Sequence, residues 1–88
     1  MTRPVVKITY CAECGYDRQA IDLSRALLAE FGNGLASVTI IPWADGTFDV
    51  SVDATLIHSM ARDGGFPEAA SVTSAIRARI ASAAAGRG

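Results

Sequence analysis

The chain has 88 residues, a formal net charge of −1 and 50% hydrophobic residues. A chain of this length buries roughly 60 to 65% of its unfolded surface, so residues 1–88 are expected to form a single domain with an ordered core over about 4–82. A charge so near zero leaves no basic stripe for DNA, RNA or an anionic membrane, and the longest apolar stretches stop short of the ~20 residues a membrane span needs.

Met1-Thr2-Arg3-Pro4 runs directly into a strand pattern without an apolar signal region, so the expected location is the cytoplasm. Pro4–Tyr10 is β-branched and aromatic, with Val6, Ile8 and Tyr10 on one face and Val5, Lys7 and Thr9 on the other. It reads as the first strand. Asp17–Phe31 then takes helical spacing, with Ala20, Leu23, Leu27, Leu28 and Phe31 as the apolar stripe. Gly32-Asn33-Gly34 tolerates left-handed backbone angles and ends that helix.

Leu35–Ile41 is short and nearly all apolar, which predicts a buried strand parallel to the first, reached by a right-handed crossover. Thr47–Val52 alternates, with Phe48, Val50 and Val52 facing inward, and predicts a third strand. Asp53-Ala54 reads as a two-residue hairpin turn into a fourth, antiparallel strand over Thr55–Ser59, although Asp-Gly would suit that turn better. Arg62–Pro67 reads as a glycine-rich loop. A second helix is predicted from Pro67 to Ser82, with Val72, Ala75, Ile76, Ile80 and Ala83 as its stripe, Arg77 and Arg79 on its solvated side, and a frayed tail over Ala84–Gly88. The order is β-α-β-β-β-α, an α/β (α+β) two-layer sandwich with both helices on a mixed four-stranded sheet.

Cys11-Ala12-Glu13-Cys14 lies where the first strand passes into the first helix, and holds both cysteines of the chain. Two thiols at this spacing can close into a disulfide and reopen without moving the rest of a fold. A free thiol near pKa ~8.5 is mostly protonated at neutral pH, and a helix N-terminus in a Cys-x-x-Cys turn can lower that value to about 7 or below. Cys11 and Cys14 are therefore the candidate catalytic residues. On the expectation that the first cysteine of such a turn faces solvent, Cys11 attacks and Cys14, inside the first helical turn, resolves. Glu13 between them opposes a thiolate, which predicts a reducing pair with a potential not well above about −200 mV.

Other signals are weaker. A tetrahedral zinc site wants four ligands, and beyond the cysteines only His58 and scattered carboxylates are available, so no metal is expected. His58 reads as a strand-face histidine with a satisfied hydrogen bond. Trp43 and Phe66-Pro67 are placed in loops near the dithiol, where exposed aromatics dock a partner or simply pack.

Cys-Ala-Glu-Cys-Gly-Tyr, followed in order by Gly46-Thr47-Phe48-Asp49-Val50, Leu56-Ile57-His58-Ser59 and Gly64-Gly65-Phe66-Pro67, resembles the selenoprotein W-like (Rdx) family over residues 5 to about 80. The resemblance implies a thioredoxin-like fold, a cytosolic redox role with glutathione as a possible co-substrate, and thiol or disulfide protein partners. Cys11 and Cys14 match the family's Cys-x-x-Cys or Cys-x-x-selenocysteine site. Selenium takes the second position there, which nominates Cys14 as attacker, and the two assignments stand side by side. Ala54 replaces a usual turn glycine, and Met60-Ala61-Arg62 replaces lysines common after the His-Ser pair. The strand-two region lacks a further cysteine found in many animal relatives. Unlike thioredoxin, the chain has no proline where the third strand begins, so Gly46 or Thr47 must fill that place. The function expected is a thiol-disulfide oxidoreductase, or alternatively a redox-sensing interaction module without turnover, with Trp43, Thr47, Phe66 and Pro67 as candidate substrate or partner contacts.

Overall fold

In the computed structural model, which describes residues 3–85 and their side chains as far as residue 82, the chain forms a four-stranded mixed sheet and three helices. These are β1 (Val5–Cys11), α1 (Asp17–Phe31), β2 (Ser37–Trp43), β3 (Phe48–Val52), β4 (Thr55–Ser59), α2 (Met60–Asp63) and α3 (Ala69–Ala85), with a short 3₁₀ turn at Gly32–Gly34. The sheet order is β2-β1-β3-β4; β1 pairs parallel with β2 and antiparallel with β3, and β4 pairs antiparallel with β3. This is the thioredoxin-like arrangement expected, with a single helical turn, α2, added where a loop was predicted.

The core follows from two periodicities meeting on one side of the sheet. Val6 and Ile8 of β1 and Phe48, Val50 and Val52 of β3 alternate inward and are essentially inaccessible to solvent. Ala20, Leu23 and Leu27 of α1 and Val72 and Ile76 of α3 recur every three or four residues and cover them. Each Val, Leu, Ile or Phe among them contributes about 1.5 to 3 kcal/mol by leaving water, and Ala20 less. In α1 the expected Leu28 lies off this stripe, 52% exposed, and Ser24 takes a buried place, its hydroxyl donating to the Ala20 carbonyl at 2.8 Å. Gly32 closes α1 with φ +48°, its N–H donating to the Leu28 carbonyl.

Three sequence expectations need correction. The second strand begins two residues later than predicted and is not buried: it is an edge strand that pairs with β1 alone among the described residues, and Ile40 and Trp43 are exposed. An apolar run marks a strand but does not say how many neighbours it has. Pro42, paired with Tyr10, is tolerable because the strand is at an edge. Leu35 is buried ahead of the strand, not within it.

Second, α2 forms because Asp63 reaches back to the Ser59 N–H at 3.1 Å and Gly64 N–H closes the turn on the Met60 carbonyl at 2.9 Å. Third, α3 starts at Ala69 and not at Pro67, with the Glu68 carbonyl accepting from the Ser71 and Val72 N–H groups, and it continues through Ala84 and Ala85. The rest of the expected frayed tail and the Ala83 side chain lie outside the described residues. Arg77 and Arg79 are exposed as expected, yet both are engaged: Arg77 pairs with Glu30 and stacks over Phe31, and Arg79 donates to Thr55 Oγ1 at 3.1 Å.

The Asp53-Ala54 turn closes the β3–β4 hairpin with φ +51° and +71°, the left-handed pair that such a turn needs. Asp53 also ties the hairpin to β1: its N–H donates to the Val5 carbonyl and its Oδ1 accepts from the Val5 N–H.

Candidate functional site

At the carboxyl end of β1, residues 12–16 form a turn and α1 begins only at Asp17. Cys11 is the last residue of β1 and is wholly buried, whereas Cys14 in the turn is exposed. The two are disulfide-bonded, with Cα atoms 5.3 Å apart. The Cys14 N–H points at Cys11 Sγ, 3.2 Å away. These positions reverse the accessibility argued from sequence. Cys14 lies before the helix and not within its first turn, and the cysteine exposed to solvent is the second, not the first.

The backbone around the pair is anchored on every side. Cys11 N–H donates to the Thr47 carbonyl at 2.7 Å and Ala12 N–H to the Trp43 carbonyl at 2.9 Å. Gly15 N–H donates to the Ala12 carbonyl and Tyr16 N–H to that of Cys11, and Gly15 takes φ +78° to close the turn. Breaking the sulfur–sulfur bond therefore leaves the backbone of the turn held by other contacts. Thr47, the residue just before β3, and not Gly46, bonds the Cys11 N–H.

The sequence-nominated contacts divide into two groups. Trp43 ends β2 directly opposite Cys11 and is 63% exposed, so it lies on a strand and not in a loop. Trp43 and Thr47 flank the dithiol through backbone bonds. Phe66 reaches the dithiol turn through the ring of Tyr16, and Pro67 follows it in the chain. Phe66 meets Tyr16 edge-on at 4.9 Å and Phe48 edge-on at 5.1 Å. Beneath Phe66, a groove of about 210 Å³ is lined by Gln19, Asp22, Leu23, Phe48 and Pro67. Gln19 and Asp22 carry no motif; helical spacing sets them side by side, and the packing of α1 near the Phe66 segment brings them to Phe66 and Pro67.

His58 is not at the dithiol. Its Nε2 donates to the Gly65 carbonyl at 3.0 Å, and its Nδ1 lies 3.7 Å from Asp63. The histidine thus pins the segment that carries Phe66, beside the Asp63 carboxylate, and its ring has the hydrogen bond expected of a strand-face histidine. Asp63 is drawn down to a pKa of about 2, first by the Arg62 side-chain hydrogen bonds and then by the Ser59 N–H. The Arg62 guanidinium is correspondingly raised, chiefly by its bond to Asp63. Among the described residues no helix is long and apolar enough to cross a membrane, and no three potential metal ligands cluster.

Comparison with known proteins agrees with this architecture. A selenoprotein W-related protein from Vibrio cholerae superposes with a TM-score of 0.87 at 28% identity, over 90% of this chain and 99% of that one. A crystal structure of a protein from Bordetella parapertussis superposes with a TM-score of 0.86 at 29% identity, over 89% of this chain and 99% of that one. No curated protein sequence matches the chain. The family profile described as the Rdx family matches residues 5–78, which include the whole sheet, α1, the dithiol turn and most of α3. The chain belongs to the Rdx family.

Proposed function

We propose that this protein is a thiol-disulfide oxidoreductase in which Cys14 attacks and Cys11 resolves. The observation that carries the reading is the asymmetry of the pair: the sulfurs are at bonding distance, one cysteine is exposed and the other is buried under a backbone N–H. In the reduced protein the Cys14 thiolate attacks one sulfur of a substrate disulfide. That bond breaks, one substrate thiol leaves and takes a proton, and a mixed disulfide remains on Cys14. Cys11, deprotonated, then attacks Cys14 Sγ and expels the second substrate thiol, so the substrate gains two electrons and the protein loses them to its own disulfide. The Cys14 N–H supplies a fixed partial positive charge to Cys11 Sγ, which favours the thiolate needed for that second step.

A thiol reductant, glutathione or a protein dithiol in a reducing compartment, returns the pair to the start. The turn's independent backbone bonds support the cycle, because closing and opening the pair leaves them in place. Reduction of a small neutral disulfide by wild type and by the Cys11→Ser/Cys14→Ser variant tests the reading. Wild type should turn over with a thiol reductant and the double variant should not; equal rates would sink it. If binding of a partner then changed with oxidation while turnover stayed absent, the sensing module would be the better description.

A further inference from the structure

Charge is unevenly distributed over this nearly neutral molecule. Glu13 in the dithiol turn, Asp17 and Asp22 at the start of α1, Asp45 in the β2–β3 turn, Asp49 and Glu68 all lie toward the end of the sheet where Cys11 sits. Among the described residues none of these carboxylates has a cationic partner within 4.0 Å. Arg62 is engaged by Asp63, which leaves Arg18 and Arg25 of α1, four residues before and three after Asp22, as the local counter-charges among the described residues. Arg3 and Arg79 lie at the other end, where Arg3 bonds the carbonyls of Asn33 and Leu35 and Arg79 lies near Asp53.

The groove below Phe66 lies within this anionic end. Leu23 and Phe48 form its apolar lining, Phe66 and Pro67 a wall, and its polar groups are the Asp22 carboxylate and the Gln19 amide. Asp22 supplies a carboxylate. Gln19 Oε1 is shut off from solvent and has no hydrogen-bond partner among the described residues. A buried acceptor without a donor is unfavourable, and a ligand N–H relieves it. Tyr16 links the groove to the dithiol, with its ring against Phe66 and its N–H on the Cys11 carbonyl.

We propose that this groove seats a lysine or arginine side chain of a client polypeptide, next to the disulfide that Cys14 attacks. The aliphatic stem of such a residue packs on Phe66 and Pro67, and its N–H groups reach the Asp22 carboxylate and, once the Gln19 side chain turns outward, Gln19 Oε1. The selected substrate class is a protein disulfide with a basic residue a few positions from its cysteine. Glutathione disulfide, with its excess of carboxylates, is selected against. This assignment rests on the redox reading above.

The test is stopped-flow reaction of the reduced protein with end-blocked peptides Gly-X-Gly-Cys-Gly, the cysteine carried as its hydroxyethyl disulfide and X being lysine, glutamine or glutamate. Bis(2-hydroxyethyl) disulfide serves as the neutral reference. The lysine peptide should react on the order of tenfold faster than the glutamate peptide, with glutamine between, and the spread should collapse in 0.5 M salt. Asp22→Asn together with Phe66→Ala should reduce the lysine-to-glutamine ratio. Equal rates for all three peptides alongside reaction of the neutral reference would overturn the groove and leave the redox reading standing; so would a ratio unchanged in the double variant. No reaction of the neutral reference would overturn the redox reading instead. The groove is then judged by titrating the same peptides, with serine for cysteine, into the oxidised protein by NMR. Shifts at Gln19 and Asp22 confined to the lysine peptide support it, and equal or absent shifts overturn it.

Discussion

Reduction of the Cys11–Cys14 bond should loosen the protein measurably without unfolding it. The bond joins residues three apart in sequence, so it closes a loop of only four residues. In the chain-entropy description, a loop that short stabilises the folded state by about 2 kcal/mol. For a domain of this size each kcal/mol corresponds to roughly 4 to 8 °C in melting temperature, so reduction should lower Tm by about 8 to 16 °C. The apolar cluster is indifferent to the change, since Val6, Ile8, Leu27, Phe48, Val50 and Ile76 are packed by the sheet and helices and not by the disulfide. Parallel melts by circular dichroism, with and without excess reductant, read the difference directly. A reduced form unfolded at 25 °C, or a loss beyond about 4 kcal/mol, would show that the bond is a staple and refute the reasoning that the pair is built to open.

Other consequences concern particular side chains. Ala54 pays for φ +71°, so Ala54→Gly should stabilise by about 1 kcal/mol and raise Tm by several degrees; an unchanged or lower Tm contradicts the turn assignment. Asp63 has a depressed folded pKa of about 2 against an unfolded value near 3.9, so its contribution is complete above pH ~4 and is lost as pH falls towards 2. Amide exchange at Gly64, corrected for the intrinsic pH effect, should accelerate over that window in wild type and be insensitive to it in Asp63→Asn. Leu27→Ala, at a wholly buried position, should cost about 2 to 5 kcal/mol in urea denaturation, against less than about 1 kcal/mol for the same change at the half-exposed Leu28. Glu13→Gln should make the pair less reducing by about 10 to 20 mV in a glutathione buffer, and a shift in the opposite direction would remove Glu13 as the cause.

Much of this fold was legible because its inward faces keep strict periods. Val6 and Ile8, then Phe48, Val50 and Val52, alternate without a break, and Ala20, Leu23 and Leu27 keep helical spacing, so strands, helix and inner face could all be read. The Asp53-Ala54 hairpin was legible from turn chemistry despite the absent glycine. What periodicity does not encode is neighbourhood. β2 looked buried because Ile and Val are apolar, but burial depends on a second flanking strand that the sheet order does not provide. α2 rests on one carboxylate reaching back four residues, a signal too short to stand out beside Gly64-Gly65.

The dithiol itself was plain from its spacing. Which thiol faces water was not, because that depends on where α1 starts, and a turn over residues 12–16 displaces the helix beyond Cys14. The groove of Gln19, Asp22 and Phe66 was equally hidden, since it joins residues more than forty positions apart that share no motif.

Trapping the mixed disulfide tests the central claim most directly. Reduced Cys11→Ser, which keeps Cys14, and reduced Cys14→Ser, which keeps Cys11, are each mixed with bis(2-hydroxyethyl) disulfide, and the adduct is followed by intact mass. Cys14, exposed in the turn, should be modified rapidly and hold the adduct for want of a resolving thiol, while Cys11, buried at the end of β1, should stay free over the same period. An adduct that forms faster on Cys11, or on neither cysteine, would contradict the account.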